Sequence, residues 1–579
     1  MYYKTVFASL LILGFISTCS FAQLPNHISN WSTAGNYNKL NSKQTIKIDD
    51  FNSDNLGNKE NNSALRRALN SLGNKGGIIE FGKGTYLFIE GINIPSNVHL
   101  VGKGVETSLA FELSSEMDAI SFKGNIELRK YKLNKAAFRG NKSIELKETD
   151  NLSSGDLIKL SLPNSGLTSS PWAQGSVGQI TKIVAVNGKS LILEDELRIN
   201  FLMADAPIIE KVLPVKNAGL SCIQLITQDE TKSNSSIIKM EYAENCYARN
   251  ISSEYSNLAH VEIDNSYRIE IIGSFFRFAH DFTKGGKANG VLIRNTSSNC
   301  LVENNIFTFL AHAMVVEAGA NGNVFAYNYS SQTYWEKEGE ESNNSADILV
   351  NGNYPFANLF EGNVVQNIVV AANNGKNGPN SFYMNWAELF GFRIEKNAGD
   401  SFNLIKNRIT NNLPQFGKVQ FSGNGHYENR TLWLTKLRVD SISDFTRKSL
   451  YINDSIKFTG GAKPYRNFAE KRDDEKVYVQ CADSSKLEPN GKVEYEEMVS
   501  INSTEKNSIQ LYPNPVNDVL YVKVNDTQLT TGSIIDQTGK IVMLINKAEI
   551  DVSTLENGLY FIQLKNEEGM VTERLVIIH

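Results

Sequence analysis

The sequence predicts an all-β chain whose centre is a right-handed parallel β-helix. Three observations carry this. Similar segments recur through the middle of the chain at a spacing of about 22 residues, the length of one coil of a solenoid. A strand followed by a short amphipathic helix stands before the repeats, as a lid would. Gly (42) and Asn are abundant and Pro is scarce (13), which suits many short strands joined by tight turns.

The lid comes first. Ile46 to Phe51 alternates like a strand. Asn62 or Ser63 is placed to cap a helix in which Leu65, Ala68, Leu69 and Leu72 share one face, and Gly73 stands where it should stop. An open stack of strands exposes unpaired backbone, and a short amphipathic helix covers it. Gly76-Gly77 then leads into Ile78–Phe81, followed by Gly82-Lys-Gly-Thr-Tyr86 and Pro95-Ser-Asn-Val-His-Leu-Val-Gly-Lys-Gly104.

The repeats begin near residue 215. Segments starting at Cys222, Cys246, Tyr267, Cys300, Asn323, Asn358 and Asn403 align at intervals of 24, 21, 33, 23, 35 and 45 residues. One coil explains 24, 21 and 23. A coil with an insertion explains 33 and 35, and two coils explain 45. Asn304, Asn305, Asn328, Asn363 and Asn407 fall at or near one turn. Asn tolerates left-handed turns and bonds along a stack, so these are read as architecture. Cys222 and Cys246 share a column, where stacked free thiols are preferred over a disulfide. Residues 141–205 read as a small β-insertion, with an Asn187-Gly188 turn between two strands.

The ends read differently. Residues 1–22 have the form of a secretory signal, with Lys4, an apolar run from Val6 to Ile16, and cleavage after Ala22. The β-helix is assigned to 23–480 and a polar linker to 481–505. Residues 506–579 form a small β-sandwich. The net charge of −5 and the lack of a basic cluster exclude a nucleic-acid binder. No stretch after the signal is long and apolar enough to insert stably in a membrane. No Cys pair has zinc-finger spacing.

Residues 46–104 resemble the opening module of the pectate-lyase-like superfamily. Two departures stand out: Asn52 to Gly57 replaces an acidic Gly-Asp-Gly turn, and Gly82 replaces a Pro. Leu511 to Leu520, Ile535 to Lys540, Ile550 to Tyr560 and Thr572 to Ile577 resemble the C-terminal sorting domain of the type IX secretion system of Bacteroidetes. That resemblance implies export through the type IX machinery, removal of the domain, and release or surface attachment. The superfamily resemblance implies the fold and association with a polysaccharide. The acid triplet of polygalacturonases is missing, so no catalytic residue carries over.

Candidate chemistry gathers where the coil period breaks, at 280–290 and 332–345. In solenoids insertions collect on one face, often the binding face. His260, His280 and His312 stand at nearly the same offset in their coils, each preceded by Ala, and Trp335 stands at that offset in its own. With each Ala turned inward, the imidazoles point out into one groove. A three-His metal site is disfavoured: outer rungs lie about 9.6 Å apart, and nitrogens on one zinc within about 4 Å. His280, His312, Asp281 and Glu361 are the catalytic candidates. His260, Lys284, Lys287, Tyr334, Trp335 and Arg393 are the substrate-binding candidates. No cofactor is required, and calcium lacks a clear motif. Two functions stay open: a secreted polysaccharide lyase or hydrolase, and a non-catalytic glycan-binding or adhesive protein.

Overall fold

The structure, a computed structural model, describes residues 28–35, 44–113, 116–228, 234–282, 286–333, 346–411, 417–429, 431–434, 509–512, 516–524, 531–536, 540–566 and 569–577. The expected signal and linker lie outside these residues.

The body is a parallel β-helix with three sheets. Sheet A takes the strands Gly77–Glu80, Tyr247–Arg249, Glu270–Ile272, Leu301–Glu303, Val324–Ala326, Leu359–Glu361, Ser381–Tyr383 and Asn403–Ile405. Sheet B includes Ser252–Ser256, Phe275–Ala279, Ile306–Thr308 and Tyr329–Ser331. Sheet C includes Ile238–Glu241, Ala259–Asp264, Asn289–Arg294, His312–Val316 and Ala346–Val350. Each coil places like on like. In sheet A one inward column runs Leu100, Leu220, Ala248, Ile271, Val302, Phe325, Phe360, Phe382, Leu404 in unbroken register. Phe325, Phe360 and Phe382 stack with centroids 5.2 and 5.1 Å apart. Burial of such a column is the main force closing the solenoid.

The turn from sheet A to sheet B holds an asparagine ladder, as the sequence suggested. The side-chain oxygens of Asn328, Asn363, Asn385 and Asn407 each accept the backbone N–H of Asn305, Asn328, Asn363 and Asn385 respectively, at 3.0 to 3.2 Å. Asn385 marks a coil that the 45-residue interval concealed. A second ladder joins Cys300, Asn323, Asn358 and Asn380 where sheet A begins. Ladder neighbours are separated in sequence by 22, 23 or 35 residues.

The first repeats are offset from the expected alignment. Gly219 pairs with Tyr247, so Cys246 faces Ala218. Cys222 sits instead at the left-handed turn position (φ 59°), and it is disulfide-bonded. The column of stacked free thiols is therefore corrected, although Cys246 and Cys300 are buried and free. The segment expected to start at Tyr267 starts two residues later, since Glu270 pairs with Tyr247.

The helix Asn62–Leu72 caps the first coil with Ala64, Leu65, Ala68 and Leu72 buried. Its start is held differently from expectation: the Glu60 carboxylate accepts from the Ser63 N–H and hydroxyl. Asn62 reaches over to accept the Ile89 N–H. The strand ahead of it is short, Thr45–Lys47, and Ile48–Phe51 is a 3-10 turn.

The insertion is wider than expected. Its six-stranded sheet begins at Asn125 and ends at Leu213. It is fastened to the turns after sheet C by several contacts. Tyr267 donates to Asp195 at 2.7 Å, Arg198 donates to Asn321 at 3.0 Å and bonds Asn299, and Asn353 accepts the Ser169 and Ser170 N–H groups. The N-terminal segment crosses here too: Trp31, 1% exposed, donates to the Ala357 carbonyl at 2.7 Å.

The C-terminal module is a sandwich of two antiparallel sheets. One has the strands Ile509–Tyr512, Val519–Val524 and Glu549–Asp551. The other has Ile541–Ile545, Thr531–Ile535, Gly558–Asn566 and Gly569–Ile577. Its core includes Val516, Leu520, Ile534, Ile562, Leu564 and Leu575. Among the described residues no helix is long and apolar enough to cross a membrane.

Candidate functional site

Both period-breaking insertions leave between sheet B and sheet C, on one side of the solenoid. The first carries Asp281, whose carboxylate pairs with Lys287 at 2.9 Å. Lys284, Tyr334 and Trp335 lie outside the described residues.

The three-His column does not form. Asn289 pairs with His312, and Ala259 pairs with Asn289, so the ring of His260 is one residue out of line with that of His312. His280 precedes sheet C altogether. His260 lies inward, contrary to expectation, because the alternation breaks there: its ring meets Phe276 of the core at 5.6 Å although its neighbour Val261 also faces the core. Its Nε2 donates to the Phe278 carbonyl at 3.0 Å and its Nδ1 meets the Ser253 hydroxyl at 2.8 Å. His312 is buried, and its Nδ1 accepts the Ala346 N–H. His280 is partly exposed and donates to the Thr227 carbonyl at 3.1 Å.

The other candidates do not join it. Glu361 is buried on sheet A and accepts the Tyr327 hydroxyl at 2.9 Å. Arg393 is on sheet C and pairs with Glu395 at 3.1 Å. One groove holding His260, His280, His312, Glu361 and Arg393 is thus corrected to residues on separate faces.

The buried imidazoles have a consequence. Burial pulls His260 down to about 3, and His99 and His312 down to about 4. These rings are neutral in the fold and take up protons on unfolding. Their contribution is complete above about pH 6.5, the unfolded value, and is lost as pH falls towards 4. Urea unfolding across this window should show His312→Gln flattening the fall by about 1.4 kcal/mol per pH unit. A slope identical to that of the parent chain would refute this.

The structure assembles a different group on the outward face of sheet C. Past His260 the strands there alternate strictly. Val261, Ile263, Val291, Ile293, Met314 and Val316 point into the core, so Glu262, Asp264, Arg294 and Glu317 point out. Asp264 pairs with Arg294 in the ladder, and Ile293 pairs with Val316, which sets Glu317 on the next rung. Arg294 sits between the acids: Nη2 donates to Glu262 Oε1 at 2.5 Å, and its other nitrogens lie 3.6 Å from Asp264 and 3.8 Å from Glu317.

Each acid has further partners. Glu262 is fully buried, accepts the Ser236 hydroxyl at 3.0 Å, and pairs with Lys239 at 3.4 Å. Asp264 accepts from the Asn265 and Asn295 amides at 2.7 and 2.9 Å. Glu317 accepts the Asn351 amide at 2.8 Å. Burial raises the pKa of both Asp264 and Glu317 against the pull of Arg294. The insertion stands beside this row. Lys159 donates to Asn265 at 2.7 Å, and the turn holding Trp172 (52% exposed) follows Ser169 and Ser170, which bind Asn353. The sequence signal for the row was the alternation in Val-Glu-Ile-Asp264, Val-Leu-Ile-Arg294 and Met-Val-Val-Glu317.

Residues 45–172 match the family described as Rhamnogalacturonase A/epimerase, pectate lyase-like. Residues 510–578 match the Secretion system C-terminal sorting domain. No curated protein matches the chain in sequence. Solved structures resemble it loosely. The tailspike gp61 of Pseudomonas phage phi297 is 10% identical, with 66% of this chain and 73% of that one covered at a TM-score of 0.49. The exopolygalacturonase of Thermotoga maritima is 10% identical, with 65% and 83% covered at 0.32. PfbA, a surface adhesin of Streptococcus pneumoniae, is 12% identical, with 67% and 91% covered at 0.31. Such scores bear no weight in assigning the site. The two family matches agree with the motifs at both ends of the sequence: the chain is a parallel β-helix protein that opens with a pectate-lyase-like module and carries a C-terminal sorting domain, which sends it by type IX secretion to the cell surface or beyond.

Proposed function

We propose that the chain hydrolyses an extracellular polysaccharide on the outward face of sheet C. The observation that carries this is the row Asp264–Arg294–Glu317. Its two carboxylates stand two rungs apart, about 9.6 Å at the backbone. Inverting glycosidases separate their acid and base by roughly 6.5–9.5 Å, leaving room for a water. Glu317, its pKa raised by burial, is the proton donor to the leaving oxygen. Asp264, oriented by two amides, is the base that activates water. Glu262 and Lys239 hold Arg294 in place. Trp172 offers a ring for a sugar face. The scheme needs no metal or cofactor.

A second reading is a non-catalytic glycan binder, favoured by the aromatic row Tyr255, Phe278 and Phe309 between sheets B and C. A panel of plant and bacterial polysaccharides separates the two. New reducing ends without unsaturated uronate absorbance are expected. Absorbance would mean a lyase and overturn the hydrolytic scheme. Binding without any cleavage would leave the adhesive reading.

A further inference from the structure

The turn from sheet B to sheet C holds an aromatic row that neither the coil core nor the sheet C face requires. Tyr255, Phe278 and Phe309 occupy it on successive coils, with φ of 62°, 61° and 53°. A left-handed backbone costs a residue with a side chain roughly 1–2 kcal/mol. Asn and Gly avoid most of that. The turn from sheet A to sheet B holds the same conformation at Asn250, Gly273, Asn304 and Gly362, and also at Cys222, Tyr327, Met384 and Lys406. Three bulky rings in a row each bear that intrinsic cost, and such strain gathers at ligand sites.

The rings are ordered as a track. Centroids are 5.3 Å apart between Tyr255 and Phe278 and 5.1 Å between Phe278 and Phe309, with planes at 23° and 30°. Tyr255 is 39% exposed and the other two are half-buried. His280 stacks on Tyr255 at 5.6 Å. A polar file flanks the rings on sheet B. Gln224 donates to Glu254 at 3.2 Å, Arg277 pairs with Glu254 at 2.8 Å, and the Arg277 guanidinium lies 5.3 Å from the Phe278 ring. At the far end Phe561 of the sorting module lies 4.7 Å from Phe309.

We propose that Tyr255, Phe278 and Phe309 form a glycan-binding track, separate from the sheet C row, that holds a polysaccharide along the helix axis. One ring per rung repeats at about the length of a pyranose unit. Aromatic faces take the C–H faces of sugars, while Gln224, Glu254 and Arg277 are placed for the hydroxyls. The proposal rests on the reading of the chain as glycan-engaging, but it does not need the hydrolytic row.

The test exploits the backbone. Tyr255→Asn and Phe278→Asn remove the rings while supplying a residue that suits a left-handed turn, so the melting temperature should hold or rise. The full chain and both variants are run in affinity gels containing polygalacturonate or a soluble neutral β-glucan. Retardation of the parent chain by one of these probes, with each variant about tenfold weaker, is expected. Retardation unchanged in both variants, or none with either probe, overturns the track. So does the case in which the variants leave retardation intact but speed proteolytic release of the C-terminal module, which would make the row a dock for Phe561. If the variants bind weakly while Glu317→Gln still cleaves, the track stands and the hydrolytic row falls.

Discussion

Glu317→Gln should lower the turnover of a cleaved polysaccharide by about 10²–10⁴-fold, the usual worth of a positioned proton donor, and leave the fold intact. The two halves of this expectation come from different contacts. Gln keeps a carbonyl oxygen for the Asn351 amide, now 2.8 Å from the carboxylate. Arg294 keeps its shortest partner, Glu262, at 2.5 Å. The contact given up is the long one, Arg294 to Glu317 at 3.8 Å, while the Arg294 charge keeps its pairing with Glu262, so no buried charge is left without an opposite one. The sign of the pKa shift points the same way. Burial raises Glu317, so its ionised form is disfavoured in the fold at neutral pH. Its contribution to stability grows as pH falls through the raised value, and a neutral amide removes the cost of ionisation at pH 7. The melting temperature at pH 7 should therefore hold or rise. The alkaline limb of the parent's activity should lie above the ordinary carboxylate range, because the acid form is the one that acts. A variant with parental turnover would refute the assignment. A variant that loses turnover together with many degrees of stability would make Glu317 a structural ion.

The solenoid was legible in the sequence because its turns repeat. Asn305, Asn328, Asn363 and Asn407 each satisfy buried backbone groups of a neighbouring coil, so their spacing writes the coil period directly. The side of the insertions was legible for the same reason, since both lengthen the same turn. The site was not, and the cause is parity. Whether a strand residue points in or out depends on where the strand begins, and a shift of one residue reverses every side chain. Placing Ala259 inward aimed His260 at a groove, whereas His260 lies inside with both ring nitrogens bonded. Alternation breaks at His260 and resumes after it: Val261 and Ile263 face the core, which brings Glu262 and Asp264 out beside Arg294. The rarer His drew attention away from the commoner charged residues. The four-residue offset at Cys222 has a different origin. The insertion from Asn125 to Leu213 interrupts the coil just before it, leaving no earlier repeat to fix the register.

Asn328→Leu should destabilise the chain by roughly 3–6 kcal/mol, far more than its modest change of volume implies. Asn328 is fully buried. Its oxygen accepts both the backbone N–H and the side-chain amide of Asn305 at 3.0 Å. Its own amide donates to the Val302 carbonyl and to the Asn363 oxygen at 2.9 Å. Leu removes all four bonds, leaves the buried Asn305 backbone N–H without its acceptor, and takes one donor from the Val302 carbonyl. The orphaned N–H costs about 1–3 kcal/mol, and each further bond lost about 0.5–1.5 kcal/mol. Neighbouring coils supply most of one another's stability in a solenoid. The break therefore weakens the junctions to the coils of Asn305 and Asn363 together, and the unfolding transition should broaden as its midpoint falls. Asn304→Leu is the matched control. Asn304 precedes the ladder, is partly exposed, and has φ 54°, so Leu there bears mainly the left-handed strain, about 1–2 kcal/mol. Urea midpoints and slopes of the two variants decide the matter. Equal losses at 304 and 328 would mean that backbone conformation, and not the ladder, holds these turns. A loss at 328 below 1 kcal/mol would mean that adjacent coils cohere through their apolar columns alone.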